Sequence, residues 1–216
     1  MIIEYPPALL DEVRTRTAGR QLAGFTPGQG PLNPDLMLVG EAPGRHEEKV
    51  NIPFSGASGQ ELIKFLNSIG YSRENTYITS VVRQRPYSVK RVRDKKTGKL
   101  VEKTPNRTPT KKEVLAFAPL FDWELATIRP KIIVPLGNTA LQRLLGPHAN
   151  IGKLHGQRLE QPIQQVTPDH QGYQWSSKKY ILVPMYHPAA VLYARRLMPV
   201  VQDDWKKLGQ VIKKIR

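Results

Sequence analysis

Leu36-Met37-Leu38-Val39-Gly40-Glu41-Ala42-Pro43-Gly44 is the stretch that decides the fold. Four apolar residues in a row, without alternation, describe a strand buried on both faces, and Gly40 ends it. Working outward, Thr76-Tyr77-Ile78-Thr79-Ser80-Val81-Val82 is rich in β-branched residues and reads as a second strand. Ile132-Ile133-Val134-Pro135-Leu136 is a third, its interior proline pointing to an edge or a bulge. Tyr180-Ile181-Leu182-Val183-Pro184-Met185 is a fourth. Helical signals lie between them. Pro7 to about Ala18 carries Leu9, Leu10 and Val13 on one side. Ser58 caps a helix closed by Gly70, with Leu62, Ile63, Leu66 and Ile69 on one face. Thr110 and Glu113 form a capping box for a long helix from Lys111 to about Arg129, which Pro130 ends. Asn138 caps a helix that stops at Gly146, and a final helical region runs from Ala189 to Ile215 with a break near Pro199. Strands alternating with helices predict an α/β fold: one domain over residues 1–216, built on a four-stranded, mainly parallel sheet flanked by helices on both faces.

Such sheets bind ligands beyond the carboxyl ends of their strands. Here those ends carry Gly40-Glu41-Ala42-Pro43-Gly44, Ser80, Gly137-Asn138 and His187-Pro188, so one rim is the expected site. Glu41 offers a carboxylate that can orient and polarise water, or cap a helix. His187 offers a proton donor or neutral hydrogen-bond donor near pH 7. Phe54, in the turn-rich Ile52-Pro53-Phe54-Ser55-Gly56, can stack on a planar base or plug the core. His46, His148, His155 and His170 have no metal-ligand spacing, and no metal site is expected. Phosphate-binding, dinucleotide-binding and Ser-His-Asp patterns are lacking, which removes nucleotide hydrolysis and hydride transfer from consideration.

Charge names the partner class. Thirty-three Lys and Arg against 18 Asp and Glu give a net charge of +15, favouring a polyanion through phosphate attraction and counterion release. The cations cluster between Arg83 and Lys112. Asp94-Lys95-Lys96-Thr97-Gly98, between Val89/Val92 and Leu100/Val101, reads as the turn of a basic β-hairpin spanning about residues 87–105, set either along a nucleic-acid backbone or simply in solvent as a solvated loop. The cations set against phosphates are Arg85, Lys90, Arg91, Arg93, Lys95, Lys96, Arg107, Arg195 and Arg196. With no cysteine, disulfides and cysteine-ligated metals are excluded. The first residues lack a signal-peptide pattern, and no apolar run approaches the roughly 18 residues of a membrane span. A soluble, cytoplasmic monomer with no membrane partner is expected.

Gly40-Glu41-Ala42-Pro43-Gly44, Pro53-Phe54-Ser55-Gly56 and Ala57-Ser58-Gly59-Gln60 resemble the first motif of the family-four uracil-DNA glycosylases. Tyr77 to Val82 followed by Arg85-Pro86, then Asn106-Arg107-Thr108-Pro109, Leu136-Gly137-Asn138-Thr139-Ala140, His155-Gly156-Gln157 and His187-Pro188-Ala189-Ala190 continue the resemblance in order, over about residues 36–207. The resemblance implies hydrolysis of the N-glycosidic bond of a base flipped from DNA, without a cofactor. It implies that Glu41 positions or activates water, His187 stabilises the leaving base, Phe54 stacks on it and main-chain groups near Ala42 line the pocket. Residues Leu192 to Arg196 would fill the vacated space in the duplex. A DNA-binding protein on the same fold with lost or weakened catalysis is the alternative.

Two departures stand out. The family's iron–sulfur cysteines are missing, with Gln84 and Phe117 where two of them are expected. Ser80 stands where the family has an Asn that reads the uracil edge. An amide presents a fixed donor and a fixed acceptor, whereas a hydroxyl rotates to do either, so weaker uracil discrimination or a shift toward other deaminated bases is expected.

Overall fold

The computed structural model describes residues 2–94 and 97–215. In chain order the strands are β1 (Leu22–Ala23), β2 (Leu36–Gly40), β3 (Thr76–Ser80), β4 (Arg85–Pro86), β5 (Lys90–Arg93), β6 (Leu100–Lys103), β7 (Ile132–Pro135), β8 (Leu159–Gln161), β9 (Gln164–Val166), β10 (Tyr173–Trp175) and β11 (Tyr180–Leu182). The helices are α1 (Pro7–Thr17), α2 (Arg45–Val50), α3 (Ala57–Ser68), α4 (Lys111–Ala116), α5 (Ala118–Ile128), α6 (Asn138–Leu145), α7 (Ile151–Leu154), α8 (Ala189–Tyr193) and α9 (Met198–Ile215), with a 3₁₀ turn over Arg195–Leu197.

The central sheet has five strands, not four, in the order β3-β2-β7-β11-β8. The β2–β3, β2–β7 and β7–β11 pairs are parallel, and β8 adds an antiparallel edge against β11. Alternate residues of β2 enter two separate cores. Met37 and Val39 pack with Val13, Phe117, Phe121 and Leu144 on one face. Leu36 and Leu38 pack with Leu62, Leu66, Val191, Trp205 and Leu208 on the other. Helices therefore cover both faces, which is why the strand carries no polar alternation.

Pro135 does not mark an edge. It lies fully inside the sheet, opposite Val39, where Leu136 N–H donates to Val39 O and Met185 N–H donates to Pro135 O, each at 2.9 Å. The ladder tolerates the missing donor because the proline is the last residue of its strand, with intact bonds on both sides. The long helix expected from Lys111 onward is two. Thr110 does cap α4, its hydroxyl accepting from Glu113 N–H, but the chain is interrupted at Phe117 and restarts with Pro119 in the first turn of α5. A proline N1 or N2 begins a helix more readily than it continues one. Helix α3 begins after Gly56 and α6 after Gly137, so Ser58 and Asn138 lie inside the helices they were expected to cap. Asn138 instead accepts a hydrogen bond from Ile151 N–H at 2.8 Å. The terminal helical region breaks at Ala194, ahead of Pro199, which sits in the first turn of α9.

Strands β5 and β6 pair antiparallel, with Lys90 opposite Lys103 and Arg93 opposite Leu100. Their turn is closed by Asp94 N–H to Lys99 O (2.8 Å) and Gly98 N–H to Asp94 O (2.9 Å). Lys95 and Lys96 lie outside the described residues. No described helix is long and apolar enough to cross a membrane.

Candidate active site

The carboxyl ends of the parallel strands surround a cavity of about 580 Å³ lined by Glu41, Ala42, Phe54, Ser80 and His187, together with Glu47, Asn106, Arg107, Leu192 and Tyr193. Every residue expected to touch the base or the reacting bond therefore faces one space. Gly40 and Ser80 are register partners at the ends of β2 and β3, and Met185, two residues before His187, bridges to Leu136 beyond β7. The sheet register thus sets the spacing of Glu41, Ser80 and His187.

Glu41 is half-buried, and its carboxylate accepts a hydrogen bond from the Thr139 hydroxyl in the first turn of α6. Burial pushes its pKa above the ordinary carboxylate value, while hydrogen bonds from Thr139 and Thr108 pull it back. The carboxyl is thereby held in place, with a proton affinity better suited to accepting a proton near neutral pH.

His187 is neutral over the physiological range, because burial lowers its pKa to about 4 against a smaller opposing effect of Glu47. Its Nδ1 lies 3.1 Å from Ala189 N–H and accepts from it. The ring proton therefore sits on Nε2, the one ring nitrogen left to donate toward a ligand. Gly137, at φ +85°, leaves room for this ring: a β-carbon there would lie 3.2 Å from His187 Cβ.

Phe54 is buried against the end of β2. A β-carbon on Gly40 would meet its ring at 2.6 Å, and its centroid lies 5.5 Å from that of His187. Glu47 lies just beyond, its two oxygens accepting from Gly44 N–H (3.1 Å) and Gly56 N–H (2.9 Å), so it ties the two loops that wall the cavity. Thr139, Thr108, Glu47 and Arg73, the last of which donates to the carbonyls of Pro53 and Phe54, were not singled out from sequence. Thr139 and Thr108 stood inside quoted motifs, but a hydroxyl carries no signal of which carboxylate it serves.

The cations divide into two groups. Lys90, Arg91, Arg93, Arg195 and Arg196 are exposed. Arg85 is buried, bonded to Glu48 and to Thr104 O (3.0 Å), with Tyr87 against its guanidinium. Arg107 lines the cavity, yet all its nitrogens are engaged: Nη1 and Nη2 with Glu113 at 2.8 and 2.7 Å, and Nε with Tyr87 O at 3.0 Å. Both arginines are ion-paired with neighbouring carboxylates, Arg85 with Glu48 and Arg107 with Glu113. His155 pairs with Asp204 at 2.7 Å, away from the cavity lining.

An iron–sulfur cluster held by cysteines does not fit this chain, which has none. Phe117 is fully buried in the core that anchors α1, and Gln84 carries a buried Oε1 without a hydrogen-bond partner. Among the described residues no group of His, Cys, Asp or Glu could hold a metal ion.

The family model of the uracil DNA glycosylase superfamily matches residues 27–209. The chain is 34% identical over 187 residues to a type-4 uracil-DNA glycosylase of Archaeoglobus fulgidus, covering 87% of this chain and 81% of that protein. It is 32% identical over 186 residues to one from Sulfurisphaera tokodaii, covering 86% and 73%. For one from Thermotoga maritima the values are 31% over 190 residues, covering 87% and 82%.

Proposed function

The chain belongs to the uracil DNA glycosylase superfamily, and from that premise we propose that it hydrolyses the N-glycosidic bond of uracil, or of another deaminated base, flipped out of DNA in base-excision repair. The observation that carries this reading is the convergence of Glu41, Ser80, Phe54 and His187 on one cavity at the strand ends. A binding module has no use for a half-buried carboxylate with a raised pKa on the same cavity as a neutral imidazole of defined tautomer.

In this reading the extruded base lies on the Phe54 ring with its polar edge toward Ser80. Glu41 orients a water molecule toward the sugar C1′ and takes its proton as the C1′–O bond forms. The C1′–N bond breaks, and its electron pair leaves with the base. His187 Nε2–H donates to the carbonyl oxygen on which that charge gathers; a neutral donor avoids the cost of holding an imidazolium in a desolvated site. The products are a free base and an abasic site. Among the described residues no lysine lines the cavity, in keeping with a monofunctional glycosylase.

The whole chain forms one glycosylase domain with residues 87–105 as a basic insertion. Lys90, Arg91, Arg93, Arg195 and Arg196 engage DNA phosphates. Tyr193, 90% exposed at the cavity mouth, fills the space left in the duplex, while Val191 beside it is committed to the core.

The test is release of base from labelled single- and double-stranded oligonucleotides bearing one uracil, hypoxanthine or xanthine. Release that is lost in Glu41→Ala and in His187→Ala supports the reading. DNA binding without release of any base refutes it.

A further inference from the structure

We propose that Arg73 is a positioning residue that holds the Phe54 ring where it stacks on the flipped base, an inference that rests on the glycosylase reading of the cavity. Phe54 has φ +52°, a left-handed conformation that a bulky residue rarely adopts and that persists only where its surroundings impose it. The imposing groups are identifiable. Arg73, in the turn between α3 and β3, donates from Nη1 to Pro53 O at 2.9 Å and from Nη2 to Phe54 O. On the other side of the turn, Glu47 Oε1 accepts from Gly56 N–H at 2.9 Å. The backbone at Pro53, Phe54 and Gly56 is thus gripped by a cation at its carbonyls and an anion at its amide.

Helix α3 presses on the same point. A β-carbon at Gly59 would lie 1.8 Å from Phe54 O, so only glycine lets the helix approach that carbonyl. With the backbone held at both ends, the ring has one place to go: over Gly40 and beside His187. Two adjacent carbonyls suit a planar guanidinium fork, which a lysine ammonium does not reproduce. Arg73 lies outside the cavity lining and acts on the base through Phe54 alone.

The experiment compares kcat/KM for uracil release in the wild type, Arg73→Met, Arg73→Lys, Phe54→Ala and the Phe54→Ala/Arg73→Met pair, with amide hydrogen exchange over residues 54–57. Arg73→Met is expected to lower kcat/KM by about 10- to 100-fold, as expected for a misplaced contact group. Arg73→Lys should lie between it and the wild type. In the Phe54→Ala background the same Arg73→Met change should cost little, because the ring it positions is gone, and exchange at residues 54–57 should accelerate. An equal loss in both backgrounds would show that Arg73 merely stabilises the fold, and unchanged exchange would show that it does not hold the turn. Either result overturns the proposal. A wild type that releases no base overturns the glycosylase reading, and the stacking role falls with it, while the exchange data still decide whether Arg73 holds the turn.

Discussion

Replacing Gly40 by alanine tests the geometry of the cavity with a single methyl group. The added β-carbon would lie 2.6 Å from Cε2 and Cζ of Phe54, whereas ordinary contacts begin near 3.4 Å. The ring must retreat by about 1 Å, and the strand cannot yield instead, since Gly40 is in register with Ser80 inside the sheet. A displacement of about 1 Å at a group that positions the reacting partner can cost on the order of 100-fold in rate. Stability should change less, because overpacking costs about 1–3 kcal/mol and alanine recovers about 0.5–1 kcal/mol of the backbone entropy of glycine. The assay is single-turnover release of uracil from a duplex oligonucleotide, run beside a thermal melt. Gly172→Ala, where the new methyl meets only Thr167 Oγ1 at 4.0 Å, serves as the control. A Gly40→Ala enzyme with wild-type rate would refute the placement of Phe54 as the stacking surface. A rate loss matched by gross unfolding would refute the claim that the effect is local.

Thr139→Val removes a hydrogen bond that lowers the pKa of Glu41. In the proposed reaction Glu41 works as a carboxylate, so activity should fall as pH drops through its pKa; raising that pKa should move the acid limb of the kcat/KM profile to higher pH. Glu124 accepts from Tyr5, Tyr77 and Thr79 and pairs with Arg83 in a fully buried network. Glu124→Gln leaves the Arg83 charge without its partner and should cost about 3–5 kcal/mol, seen as a melting temperature lower by roughly 6–20 °C at this chain length. Ser80→Asn places a fixed donor–acceptor pair at the end of β3 and should sharpen the preference for uracil over hypoxanthine. Unchanged rates and ranking on the two substrates would remove Ser80 from the account of specificity.

The amino-acid sequence by itself determined the parts of this protein that depend on local pattern. Four apolar residues at Leu36 to Val39 require burial on both faces, and from that follow helices on both sides and a site at the strand ends. Glu41, Ser80 and His187 were legible because each stands next to the end of such a run. The antiparallel edge strand was not legible: Leu159-Glu160-Gln161 is short and largely polar, and its pairing with β11 is a long-range event. Pro135 misled for a similar reason, since a proline is costly in a sheet only where its missing N–H faces a ladder bond that cannot be spared. The arginines show the limit most plainly. Arg85, Arg91 and Arg107 are chemically identical in sequence, yet Arg91 is exposed while Arg85 and Arg107 are consumed by Glu48 and Glu113. Arg73 reaches Phe54 across 19 residues of chain. Tertiary structure alone decides such roles, because a side chain's charge belongs to its residue type, whereas its partner depends on which distant segments packing brings within hydrogen-bonding range.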